Sequence, residues 1–145
     1  MKSPFLSKRI FLFHLLMLIC CTGFANAELF KQARRLQHDG KYNEAIETYK
    51  SYLLQPIKED EFNKQQMLTY TDALMQLMNT FQSKGEPEAC ISTLKELFNT
   101  SPILQKQCLR DYYSVMGYAL SRTEKMKEAE ETTLKVFTIP LHHAT

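Results

Sequence analysis

The sequence predicts an all-α fold built from three antiparallel helix pairs. The first observation is a block that occurs three times, beginning at Gly40 (GKYNEAIETYKSYL), Gly85 (GEPEACISTLKELF) and Glu124 (EKMKEAEETTLKVF). The second is that apolar residues recur at helical spacing between the blocks, with no alternating pattern typical of strands. Self-similarity at spacings of 45 and then 39 residues indicates a repeat array.

The three blocks share a packing pattern. Each carries a small residue, then a threonine, then a proline shortly after its end: Ala45, Cys90 and Ala129; Thr48, Thr93 and Thr132; Pro56, Pro102 and Pro140. Two helices approach closely only where the side chains between them are small. The pattern therefore predicts that each block is the second helix of a closely packed pair.

The expected helices cover residues 28–39, 42–55, 59–83, 87–99, 103–122 and 125–138. Gly40 and Gly85 mark turns between helices. Pro87 suits a first helical turn, where its missing N–H is not needed. Ser101 followed by Pro102 reads as a helix N-cap with proline at the next position.

Residues 1–27 are expected to be a signal peptide and not part of the fold. Lys2, Lys8 and Arg9 precede an apolar stretch at residues 10–20, and Ala25-Asn26-Ala27 is typical of a cleavage site. Cys20-Cys21 leaves open a lipid-anchored end, and an uncleaved membrane anchor is a further alternative. The expected location is exported, either periplasmic or in the cell envelope, with membrane contact only through this end.

Charge and composition exclude several functions. Three of the 18 basic residues and none of the 16 acidic residues lie in the first 27, which leaves a net charge of −1 for the rest. No basic stripe indicates nucleic acid. His142 and His143 are adjacent, not at the spacing that places two ligands on one helix face. We therefore expect no cofactor, no metal and no catalytic residues.

Only Cys90 and Cys108 lie beyond the signal segment. They fall early in successive antiparallel helices, so pairing outward from the connecting turn sets them several residues out of register. That offset, added to a helix spacing of about 8–10 Å, exceeds the roughly 7 Å between Cα atoms that a disulfide allows. The sequence predicts two small, buried, free thiols.

The helix pairs resemble tetratricopeptide repeats (TPR), within residues 28–145 and with repeats at about 28–56, 59–102 and 103–140. The residues that carry the resemblance are Leu29, Ala33, Leu36, Gly40, Tyr42, Ala45, Tyr49 and Pro56; Leu74, Leu77, Phe81, Gly85, Cys90, Leu94 and Pro102; and Tyr113, Met116, Gly117, Leu120, Ala129, Val136 and Pro140. Met78, Glu124 and Thr133 depart from the pattern. The resemblance implies a right-handed superhelical array.

The resemblance also implies that the first helix of each pair lines a groove for a protein or peptide partner. The positions that map to it are Phe30, Arg34, Gln37, Asp72, Met75, Asn79, Gln82, Asp111, Ser114, Tyr118 and Arg122. These residues do not form the cluster of cations with which chaperone-type TPRs clamp a C-terminal carboxylate. Ordinary solvent-exposed helix faces are the alternative interpretation.

The expected function is an exported, non-catalytic TPR scaffold that binds a protein or peptide. The alternative is the N-terminal sensor part of a longer signalling protein, similar to envelope histidine kinases that carry helical repeats. Repeat 3 is expected to leave an apolar face uncovered, because little sequence follows Pro140. That face is expected to dock on further repeats or on a dimer partner.

Overall fold

The computed structural model describes residues 27–57 and 62–140, and every regular element in those residues is a helix. Helix α1 covers residues 27–38. The others are α2 (Tyr42–Leu53), α3 (Lys64–Lys84), α4 (Pro87–Thr100), α5 (Pro102–Lys106), α6 (Leu109–Ser121) and α7 (Met126–Thr138). The all-α prediction is confirmed. The predicted signal peptide lies outside the described residues apart from Ala27.

The predicted turns and caps are confirmed where the chain reverses between paired helices. Gly40 and Gly85 have φ values of +72° and +73°, a region that glycine enters without steric cost. Pro87 is in the first turn of α4. Ser101 caps α5, and its hydroxyl accepts a hydrogen bond from the Leu104 N–H. Local sequence therefore sets most helix boundaries.

Two helix boundaries were predicted wrongly. Helix α3 does not start at residue 59 but at Lys64, because Asn63 and Gln66 form a reciprocal capping box with hydrogen bonds of 3.0 and 2.8 Å. The helix predicted over 103–122 is two helices, α5 and α6. The backbone N–H groups of Gln107 and Cys108 both donate to the Ile103 carbonyl, at 2.8 and 2.9 Å, and end α5 there.

The helices pack both on their neighbours along the chain and on helices further away in sequence. Helix α3 packs on α2, α6 packs on both α3 and α4, and α7 packs on α6. The core is continuous through these contacts, and Tyr70 lies at its centre, fully buried. Its hydroxyl donates to the Leu53 carbonyl and lies 2.9 Å from the Ser101 hydroxyl, so the three inner helices α2, α3 and α5 meet at one polar contact.

Cys90 and Cys108 are free and buried, as predicted. Burial raises the pKa of both thiols from 9.0 to about 12, with Asp111 adding a smaller contribution at Cys108. A thiol held in its neutral form by burial is a poor nucleophile. Both cysteines therefore act as small core residues.

Gly117 sets the spacing between α6 and α7. A Cβ added there would overlap the Thr133 hydroxyl and would lie 3.4 Å from both the Thr133 Cβ and its backbone nitrogen. Thr133 is fixed by its own hydrogen bond of 2.8 Å to the Ala129 carbonyl. The predicted role of small residues in close helix pairing is thus seen directly at this position.

Candidate functional site

Helices α3 and α6 enclose a cavity of about 350 Å³, called here the α3–α6 cavity. Four of its six lining residues were predicted from sequence to share one groove, namely Met75, Asn79, Ser114 and Tyr118. The other two, Met78 and Val115, were not predicted. The side chains of Met75 and Tyr118 are 45% and 47% exposed, respectively, which is high for large apolar residues. The structure therefore brings the middle of the predicted groove together as one accessible apolar site.

Of the two lining residues that the sequence mapping missed, Met78 carries a signal in the sequence. It aligns with Ala33 and Gly117, the small positions of the other repeats, and was noted only as a departure from the pattern. In the structure it is 6% exposed and forms part of the cavity wall. A methionine at a small position was the available signal, because its long side chain must occupy space that the other repeats leave to a helix partner.

The predicted residues of α1 form a contact cluster that is partly internal. Phe30 packs on Tyr52 with ring centroids 5.6 Å apart, and the Arg34 guanidinium lies 5.9 Å from the centroid of the Phe30 ring. Gln37 accepts a hydrogen bond of 2.7 Å from the Tyr49 hydroxyl and donates one of 3.3 Å to Gln76. These contacts tie α1 to α2 and α3, so Phe30 and Gln37 are structural residues in this arrangement.

The remaining predicted residues lie at the edges of the groove or away from it. Asp72 accepts a hydrogen bond of 3.1 Å from Gln76. Gln82 is half-buried, and its side-chain nitrogen is buried with no hydrogen-bond partner. Asp111 lines a different cavity of about 320 Å³, beside Lys106 and Arg110. Arg122 is exposed and follows the last residue of α6.

A second and larger concave site lies between α6 and α7. This α6–α7 groove has a volume of about 800 Å³, and Ser114 and Tyr118 belong to both sites. Its outer wall is the exposed side of α7, where Met126 and Leu134 are 62% and 56% exposed. Phe137, one turn beyond Leu134, is 76% exposed. As far as residues 27–57 and 62–140 show, this side of α7 is therefore exposed, as expected for the third block.

The titratable groups with shifted pKa values all lie in the core. Burial raises the pKa of Tyr49 and of Tyr112 from 10.0 to about 12, and it raises that of Tyr70 further. Each shift favours the neutral form, which is what burial alone produces. Within the described residues there is no group of three or more histidine, cysteine, aspartate or glutamate side chains able to hold a metal ion.

No family model matches the chain, and no curated protein or solved structure is significantly similar to it. The resemblance to tetratricopeptide repeats thus depends on the aligned residues themselves and stays a prediction. None of the described helices combines the length and apolar character needed to cross a bilayer.

Proposed function

We propose that the protein is an exported TPR-type scaffold that holds a protein or peptide partner in the α3–α6 cavity without catalysing a reaction on it. The observation that carries the proposal is the convergence of Met75, Asn79 and Tyr118 from two helices on one accessible cavity. A concave apolar site with a few polar groups is the usual form of a binding site.

The lining defines the chemistry of the partner. Met75 and Met78 are flexible and polarizable, and such side chains adapt to apolar groups of different shape. Tyr118 offers a rigid aromatic surface of the kind that often dominates binding energy. We infer that the partner inserts an aliphatic or aromatic side chain between Met75 and Tyr118.

Asn79 and Ser114 supply the polar contacts. The Asn79 amide can both donate to a peptide carbonyl and accept from a peptide N–H, and the Ser114 hydroxyl can do the same. No carboxylate, imidazole, thiol or cationic group is among the six lining residues. This supports recognition of an uncharged peptide segment and gives no acid–base pair for catalysis.

Selection from a random peptide library displayed on phage tests this proposal. Peptides recovered on the full chain should share an apolar or aromatic residue in an uncharged stretch. Their affinity should fall about tenfold or more in Met75→Lys, because the substitution places a charge in the apolar cavity. Leu54→Ser is the matched control, since Leu54 is 42% exposed but outside the cavity.

The proposal fails if no peptide is enriched, or if the recovered peptides bind Met75→Lys and the unsubstituted chain equally well. Far-UV circular dichroism of each variant verifies that it is folded. Met75 is 45% exposed, so its substitution is not expected to unfold the chain.

A further inference from the structure

The α6–α7 groove has an internal counterpart that is already filled. Block alignment places Glu130, Thr133 and Phe137 of α7 at the positions of Ile91, Leu94 and Phe98 in α4. Helix α6 packs on both α3 and α4, and Phe98 is the α4 residue of this set with a ring contact to α6. Ile91 and Leu94 are 3% and 0% exposed, and Phe98 stacks on Tyr112 of α6 with ring centroids 4.3 Å apart. Within this molecule, the equivalent groove between α3 and α4 is thus occupied by one amphipathic helix, α6.

The same positions on α7 have no such cover among the described residues. Glu130 and Thr133 are exposed, and Phe137 is 76% exposed. Apolar residues persist on the stripe at Met126, Leu134 and Phe137, where a face meant for solvent would be polar. A stripe of exposed apolar residues beside a groove marks an interaction surface.

A second copy of the chain stacked head to tail does not fit this surface. In such a stack, α1 of one copy would take the place that α6 takes on α4. The α1 residues that align with Tyr112, Val115 and Ala119 of α6 are Glu28, Lys31 and Arg35, and all three are exposed. This face of α1 is polar and does not match the exposed apolar residues of α7.

We propose that the α6–α7 groove binds one amphipathic helix of a partner protein, placed as α6 is placed on α3 and α4. By analogy with α6, the helix carries an aromatic residue over Phe137, as Tyr112 lies over Phe98. It also carries a basic residue about two turns away. Glu130 replaces Ile91 inside the groove and lies seven residues, or about 10 Å along the helix, from Phe137.

The probe is a synthetic peptide with the α6 sequence, residues 109–121, tested with and without the change Ala119→Lys. This change puts a cation two turns after Tyr112. Both peptides should bind the full chain and gain helical content by circular dichroism. The lysine peptide should bind several-fold more tightly, and Glu130→Gln should remove that advantage because an ion pair in a partly enclosed groove is lost.

Phe137→Ser should weaken both peptides about tenfold or more, because a large aromatic anchor is removed from the interface. Leu68→Ser is the matched control: Leu68 is 54% exposed and lies on α3, away from the α6–α7 groove. Affinity for the control should change less than about twofold. Met75→Lys should leave the affinity for both α6 peptides unchanged, because Met75 lines the α3–α6 cavity and not the α6–α7 groove. This variant therefore distinguishes failure of this proposal from failure of the proposed function.

Two results would overturn the inference. One is equal binding of the peptides to the Phe137→Ser variant and the unsubstituted chain, which would mean that they exchange with α6 or bind elsewhere. The other is a dimer in sedimentation equilibrium that Phe137→Ser dissociates, because a second copy would then cover the face.

Discussion

Helices α4 and α7 are aligned copies of one sequence block, but they meet different surroundings. Helix α4 packs on α3, α5 and α6, and its residues Ile91, Leu94 and Leu97 are buried. Helix α7 buries only Ala129 and Thr132 and leaves Phe137 mostly exposed. A shared helical pattern therefore fixes the helix itself, while its burial depends on whether a neighbour follows it.

The difference also appears in the identity of the residues. The buried Leu94 of α4 aligns with Thr133 of α7, and Ile91 aligns with Glu130. Phe98 and Phe137 are unchanged between the copies. The α7 copy thus combines polar residues with an exposed phenylalanine, and this mixture supports the proposed helix-binding surface.

The largest expected effect is alkaline unfolding of the covered helices. The folded pKa values of Tyr49, Cys90, Cys108 and Tyr112 are raised to about 12, above the ordinary 9.0 of a thiol and 10.0 of a phenol. The unfolded chain then loses protons first, so the contribution of these groups to the free energy of unfolding is constant below about pH 9 and falls as pH rises towards 12. Helix α7 contains no tyrosine or cysteine and adds nothing to this loss.

Urea unfolding at a series of pH values measures this loss. Tyr49→Phe should make the fall with pH shallower, although it also removes a hydrogen bond to Gln37 at every pH. A free energy of unfolding that stays flat between about pH 9 and 12 would mean that these side chains are not buried in solution.

The next effect compares truncation of a buried leucine in α4 with truncation of an exposed leucine in α7. Leu94→Ala removes a fully buried side chain and should lower the free energy of unfolding by about 2–5 kcal/mol. Leu134→Ala on α7, where the side chain is 56% exposed, should cost less than about 1 kcal/mol. Urea unfolding of both variants measures the pair. Similar losses would show that the α7 face is covered in solution.

Much of the fold was predictable because its signals are local. Pro87 and Ser101 start helices, and the glycines at 40 and 85 end them, through backbone and capping effects that need no distant partner. The start of α3 was missed although its signal is local too, since Asn63 and Gln66 form the capping box.

The break between α5 and α6 carries no such signal. The two residues at the break are Gln107 and Cys108, and neither is a glycine or a proline. The chain turns there while Ile103, Leu104 and Cys108 become buried. Tertiary packing decides this boundary. The groove shows the same division, because the resemblance to tetratricopeptide repeats implied groove positions for Met75 and Tyr118, whereas the contribution of Met78 depends on which helices meet.

A smaller effect is expected from the close approach of α6 to α7. Gly117→Ala should destabilise the chain by about 1–3 kcal/mol, because the added methyl group overlaps the Thr133 hydroxyl. This cost would exceed the gain of about 1 kcal/mol in helix propensity. The double variant Gly117→Ala with Thr133→Ala should recover most of the loss in a double-mutant cycle. Additive effects of the two substitutions would mean that residues 117 and 133 are not in contact in solution.

The smallest expected effect tests the two phenylalanines that the copies share. Phe98→Leu removes a ring stacked on Tyr112 at 4.3 Å and should cost about 1 kcal/mol, mainly from the lost aromatic contact. Phe137→Leu should change the free energy of unfolding by less than about 0.5 kcal/mol, since the side chain is 76% exposed. Urea unfolding at low protein concentration measures both. Adding the α6-sequence peptide should then make Phe137→Leu costly and leave the cost of Phe98→Leu unchanged, because Phe137 lies on the proposed peptide-binding face and Phe98 is already stacked on Tyr112.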